Sequence, residues 1–255
     1  MKYLSLTLLL TLLITLVNCA NERETTETEI VNSEQQILIF SKTDGYRHDS
    51  IEAGHEAITH LAGENDVSVT STEDASYFTP ENLQEYDAVI FLNTTETIFD
   101  EHQRDAFKSY IQTGGGFAGI HSASDTEYDW PWYNDLVGAY FESHPSDPNV
   151  REASLIIHNH DHSSTDMLPE MWERADEWYN FQNMNEDISV LISLDTDSYE
   201  GSNHPGNHPV AWFHEYDGGR AFYTSLGHTI DSFSEDLFLE HLWGGIEYAM
   251  DSNDD

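Results

Sequence analysis

Histidine titrates nearest neutral pH of all side chains and is the commonest ligand of divalent metals; this 255-residue chain has 14 of them and one cysteine. One histidine lies in the run Gly114-Gly115-Gly116-Phe117-Ala118-Gly119-Ile120-His121-Ser122-Ala123, which reads as a strand, a tight turn and the start of a helix. Nucleophile elbows are built at such a turn, and His121 takes its exposed place. An imidazole there suits a general base, a general acid or a metal ligand better than a nucleophile for amide hydrolysis. The structural alternative for His121 is a buried residue that caps the next helix. Because no cysteine exists beyond Cys19, glutaminase chemistry through a thiol is excluded. Ser122 is set aside as a hydrolase nucleophile, since Gly-x-Ser-x-Gly is not met and it lies one place past the apex. Asp125 and Glu127 either contact substrate or begin a helix, Asp125 being the stronger candidate.

Other chemistry-bearing residues lie in long loops of the second half. His158-Asn159-His160-Asp161-His162 has the look of a metal box, but it lacks one residue of the binuclear zinc pattern His-x-His-x-Asp-His and reads equally as a solvated loop. His204 and His208 stand in a Gly-, Asn- and Pro-rich loop that either closes over a pocket or is simply exposed. Trp130, Trp132, Tyr133, Trp178, Tyr179 and Trp212 cluster in or near these loops. Sugars present flat apolar faces rimmed by hydroxyls, so aromatic platforms beside carboxylates and amides suit carbohydrate; each ring taken alone also reads as core.

These residues need a scaffold. Gln36 to Ser41, Val67 to Thr70, Tyr86 to Leu92 and Phe117 to Ile120 read as strands, most of them continuous apolar runs of the kind found in buried parallel sheets. Helical spacing over Ile51, His55, Ile58 and Leu61 predicts a helix with Ser50 as N-cap and Gly63 as its stop, and Asp100 to Thr113 predicts another. Strands alternating with helices imply a parallel sheet with right-handed crossovers. Farther on, Ala153 to Ile157, Ile188 to Leu194, Val210 to His214 and Ala221 to Ser225 read as strands, and Glu235 to Met250 as a closing amphipathic helix.

The ends and the charge bear on location. Lys2 followed by an apolar run from Leu4 to Val17 reads as a secretory signal, too short to span a membrane. Leu16-Val17-Asn18-Cys19 resembles the lipobox of bacterial lipoproteins, whose cysteine is lipidated; an ordinary signal peptide with an incidental cysteine is the alternative. The expected organisation is a signal at 1–18, a polar tether at 19–35, one α/β domain at 36–250 and a short tail at 251–255. On this reading the protein is exported and held at a bacterial membrane, periplasmic or at the cell surface, by a lipid alone. With 48 acidic and 9 basic residues the formal charge is −39, which repels phosphate backbones and makes nucleic acid a poor partner. The acids are spread along the chain, as in surfaces adapted to high salt.

The series Phe40 to Ile51, Gly119 to Ala123, Phe141-Glu142-Ser143-His144-Pro145, Leu168 to Trp172, Asp176 to Phe181, His208 to Trp212 and Gly219 to His228 resembles the ThuA-like, trehalose-utilisation family in order and spacing, over Gln36 to Met250. The resemblance implies an open, mostly parallel α/β sheet with helices on both faces, similar to flavodoxin-like and class I glutamine amidotransferase-like proteins. It also implies a link to disaccharides and their 3-keto forms. Family members often carry a bulkier aromatic where Tyr46 stands.

In such sheets the pocket forms at the carboxyl ends of strands, where His48, His121, Glu177 and His228 are expected. Three imidazoles and a carboxylate there would bind a divalent ion such as zinc through His48, His121 and His228. Alternatively, His121, Glu177 and Asp125 would exchange protons with a sugar without metal. Tyr46, Arg47, Trp178, Tyr179, His208 and Trp212 are expected to contact the sugar. The leading expectation is an isomerising or hydrolysing sugar enzyme, the rival a non-catalytic sugar-binding lipoprotein.

Overall fold

The structure, a computed structural model, describes residues 35–204 and 206–251. The expected signal peptide, Cys19, nearly all of the tether and the last four residues lie outside the described residues. The domain opens with β1 (Gln36–Phe40), α1 (Ile51–Glu64), β2 (Ser68–Thr72), α2 (Pro80–Leu83), β3 (Ala88–Leu92), α3 (Glu101–Gln112) and β4 (Gly116–Ile120). It continues through α4 (Pro131–Val137), β5 (Tyr140–Ser143), β6 (Val150–Ile157), β7 (Met171–Glu177), β8 (Asn180–Gln182), β9 (Ser189–Leu194), β10 (His208–Tyr216), β11 (Gly219–Thr224) and α5 (Asp236–Met250). Among the described residues no helix is long and apolar enough to cross a membrane.

The nine-stranded sheet has the order β2-β1-β3-β4-β11-β10-β9-β6-β7. From β2 to β11 every neighbour is parallel, as the alternation of strands and helices predicts. Beyond β11 each pairing is antiparallel. Two reversals restore direction, so β9 and β7 point the same way as β1, β4 and β11, and the carboxyl ends of all these strands share one edge.

Period-two alternation in the central strands feeds two cores, one on each face of the sheet. Ile37, Ile39, Ile90, Leu92 and Ile120 pack with Ile58 of α1 and Phe238, Leu242 and Ile246 of α5. Leu38, Phe40, Val89, Phe91 and Phe117 pack with Leu83 of α2, Phe107 and Ile111 of α3 and Leu136 of α4. Helices therefore cover both faces. The close fit of α5 needs a glycine, because a Cβ on Gly116 would stand 2.0 Å from the Ala249 carbonyl oxygen.

Helix α3 starts on a capping box in which Asp100 and Gln103 satisfy each other's backbone donors. Helix α1 departs from expectation: Ser50 precedes it but makes no side-chain cap bond. Its hydroxyl donates to the Gly227 carbonyl at 3.0 Å instead, tying the start of α1 to the loop after β11. The helix also runs one residue past Gly63, to Glu64.

Strand β7 was not expected from the sequence, and it shapes the site. Five strand steps separate it from β4, about 24 Å in a flat sheet. Yet a side chain at the end of β7 reaches within 3.4 Å of one at the end of β4. The sheet therefore coils, bringing its antiparallel edge back over the carboxyl ends of the parallel strands. Strands β5 and β8 form a separate two-stranded ribbon; Phe141 on β5 packs tilted against Tyr179, just before β8, at 4.3 Å between ring centroids.

Candidate metal and sugar site

His121 follows β4 directly and is fully buried, with φ of 49°, in the left-handed region that non-glycine residues enter rarely and at a cost of ~1–3 kcal/mol. The elbow expected from the sequence is thus present, and its strain turns the imidazole across the sheet edge. Its Nδ1 stands 2.7 Å from the Ser225 carbonyl oxygen. A carbonyl only accepts, so Nδ1 carries the proton, and in the neutral ring Nε2 is left as a bare lone pair.

That lone pair meets two groups. Nε2 lies 3.4 Å from Glu177 Oε2 and 3.2 Å from His228 Nδ1; His228 Nδ1 in turn is 3.1 Å from Glu177 Oε2. His48 completes the group, and one ligand atom from each of the four residues falls within 4.8 Å of all the others. Donors bound tetrahedrally to zinc at about 2.0–2.1 Å stand about 3.3 Å apart, the spacing of the innermost three atoms. The donor set therefore fits a divalent metal: two to three imidazole nitrogens and a carboxylate, with the chelating atoms gathered and a lone pair facing a carboxylate where a cation belongs.

Electrostatics agree with that fit for His48 and Glu177. Burial, aided by the neighbouring His121 and His228, pushes the pKa of His48 down to about 2, so its ring stays neutral and ligand-competent. Burial alone would raise the Glu177 carboxyl, but the His121 and His228 imidazoles beside it and the hydrogen bond from Asn149 outweigh it and hold the group well below the usual carboxylate range. Burial would lower His228, yet its hydrogen bond to Glu177 and the charges of Glu177 and Asp176 raise it, so an ion bound here has to displace the proton on that ring.

A second layer holds these groups in place. Asp176 is fully buried; its carboxylate accepts from the backbone nitrogens of Glu177 at 2.9 Å, Gly227 at 3.0 Å and His228 at 3.2 Å. Arg174, buried beside it, pairs with it at 3.1 Å. Ser122 is buried with its hydroxyl 3.3 Å from His48 Nδ1, where it orients that ring.

A cavity of about 450 Å³ opens on the cluster, lined by Tyr46, His48, Asp125, Phe141, His144, Asn149, Glu177, Tyr179 and His228. Asp125 is half-buried and receives a hydrogen bond from the Tyr128 hydroxyl; burial, only partly offset by that bond, pushes its carboxyl up to about 6. The Tyr179 ring packs 4.2 Å from that of His121. Two residues here escaped the sequence reading. Asn149 donates to Glu177 Oε1 at 2.7 Å, and His144 Nδ1 lies 2.9 Å from the Pro145 carbonyl and 3.5 Å from Glu177 Oε1. The Glu-Ser-His-Pro motif drew attention to His144 without a role; Asn149 sits in an aperiodic loop that carries no signal.

Four expected sugar contacts are corrected. Trp178 and Trp212 have no exposed surface, and their indoles donate inward to the carbonyls of Arg151 and Val137. His208 is fully buried, held by Tyr179 and Ser202; the loop before β10 is fastened there instead of closing over the cavity. Arg47 is exposed but engaged by Glu52 and Glu73, away from the cavity lining. Glu127 is buried and caps the backbone of Ile98 and Phe99 while pairing with Arg104. The His158–His162 segment does not converge: His158 bonds Ser193, His160 the Thr165 carbonyl and His162 Ser164.

The fold is shared by solved proteins. A ThuA-like protein from Bacteroides uniformis is 22% identical over 85% of this chain and 91% of its own, with a TM-score of 0.71. Another from Parabacteroides merdae is 20% identical over 87% and 92%, with a TM-score of 0.63. A β-galactosidase from Bacillus circulans sp. alkalophilus, 13% identical, contains the fold in 31% of its chain, matching 86% of this one with a TM-score of 0.54. No protein with a curated description matches. The model of the family described as ThuA, trehalose utilisation, matches residues 36–249, essentially the whole described domain, and the chain belongs to that family.

Proposed function

We propose that this protein is a carbohydrate-active enzyme in which His121, His228, Glu177 and His48 hold a divalent ion, zinc being the best match to the donors, at the floor of the cavity. The observation that carries the reading is His121 Nε2, deprotonated by the demand of the Ser225 carbonyl and aimed at the Glu177 carboxylate. Two acceptors face each other there, with His228 Nδ1 3.2 Å from one and 3.1 Å from the other, so the pair needs either the proton of His228 or a cation in its place. A bound ion would supply Lewis acidity toward a sugar oxygen.

Asp125, with a pKa near the working range, is the group suited to move a proton to or from the sugar. Tyr46, Phe141 and Tyr179 offer ring faces, while Asn149 and His144 offer hydrogen bonds. No lysine or arginine lines the cavity among the described residues, which favours an unphosphorylated sugar. The family description, trehalose utilisation, points to the same substrate class. The lipobox-like segment ending in Cys19 would set this chemistry at the bacterial envelope.

The test is turnover of a panel of disaccharides and their 3-keto forms, before and after chelation. Turnover that is lost with chelator and restored by zinc supports the reading. Sugar binding without product, indifferent to chelator, would favour a binding module instead.

A further inference from the structure

A smaller cavity of about 260 Å³ adjoins the first and shares Tyr46 and His228 with it as a common wall. Alone it falls below the roughly 300 Å³ at which small-molecule pockets begin, so it reads as an extension of the larger one. Its lining has two characters. Tyr46 is 65% exposed and Ile230 56% exposed, and they stand among the most exposed large apolar side chains of the described residues. Single exposed apolar groups are ordinary, but two lining one small cavity beside a candidate active site present a platform. Asp49 and Asp231 line the same space, and neither carboxylate has a hydrogen-bond or ion-pair partner among the described residues. Apolar faces interleaved with free acceptors match a pyranose ring, which offers C–H patches and hydroxyl donors together.

We propose that this cavity is an outer subsite that takes the second ring of a neutral two-ring glycoside while the first ring occupies the cavity at the His121–Glu177 cluster. Tyr46 stands between the rings, its ring centroid 4.9 Å from that of His48, and Ile230 flanks the outer ring only. Ile230 thus determines preference for two rings over one without touching the inner site. The inference rests on the sugar reading above and adds to it which residues select substrate size.

The experiment compares binding of glucose, trehalose and their 3-keto forms to the zinc-supplemented full chain by calorimetry, in the native protein and in Ile230→Ser. Ile230 is exposed at the start of a short 3-10 helix, so the variant is expected to fold; Ile230→Phe serves as a second variant that keeps an apolar face. The expected result is roughly tenfold tighter binding of the two-ring member of each pair. That advantage should largely vanish in Ile230→Ser and persist in Ile230→Phe, with single-ring affinity unchanged throughout. Equal affinity for one and two rings, or a two-ring advantage untouched by Ile230→Ser, would overturn the outer subsite and leave the sugar reading intact. Failure of every sugar to bind the native protein would overturn both.

Discussion

The Asp176 carboxylate accepts the backbone N–H of His228 at 3.2 Å, joining the outermost strand of the coiled sheet to the loop that follows β11. The same carboxylate holds Gly227 and the backbone of Glu177, so one buried group sets the distance between two candidate ligands. Hydrogen bonds behind metal ligands commonly govern affinity, and here the outer group acts through the main chain.

Asp176→Asn should therefore weaken zinc binding by about 10–100-fold, because an amide nitrogen cannot accept from Gly227. A competitive chelator titration at a temperature where both proteins are folded reads this directly. Unchanged affinity would mean that Asp176 serves the fold alone.

The pH dependence should carry the signature of Asp125. With its folded pKa raised to about 6, a reaction that needs its carboxylate should gain rate as pH rises through that value, and Asp125→Asn should erase that limb. The sign for stability is opposite. Protonation is favoured in the folded state, so the stabilisation linked to this carboxyl is full below about pH 4 and is lost as pH climbs through about 6. Urea melts across that window should show a shallower decline in Asp125→Asn than in the native protein.

Trp178→Phe should separate core from site. The indole is fully buried and donates to the Arg151 carbonyl at 2.8 Å, so its loss removes a hydrogen bond and leaves a void in the core, and should destabilise by ~1–3 kcal/mol. Sugar affinity should stay within twofold of the native value; a large loss of affinity with little change in melting would reinstate Trp178 as a sugar contact.

Salt should stabilise the protein. A formal charge of −39 opposes compaction, and raising salt from about 0.01 to 1 M shortens the screening length from about 30 to 3 Å. The melting temperature should climb across that range. A flat profile in salt-free buffer would remove the halophilic reading of the surface.

Why the site was only partly legible follows from where its residues lie. Apolar runs exposed β1, β3 and β4, and the glycine-rich turn exposed His121, because local sterics and burial leave marks in consecutive residues. Strand β7 left none: Met171-Trp172-Glu173-Arg174-Ala175-Asp176-Glu177 alternates correctly, but a buried Arg174–Asp176 pair occupies inward positions that apolar residues normally mark. The coil that returns β7 to the site is a long-range event with no local sequence signature. Trp178 and Trp212 misled for the converse reason, since an aromatic ring on a strand or just past its end has the same composition whether it faces a sugar or the core.

The measurement that bears most directly on the account is the metal content of the full chain purified without chelator, alongside His121→Ala and Glu177→Gln. The native protein should carry about one zinc or equivalent divalent ion per chain, with occupancy collapsing in both variants while their secondary structure persists. A correctly folded native protein that takes up no stoichiometric divalent ion, even when zinc is supplied, would contradict it.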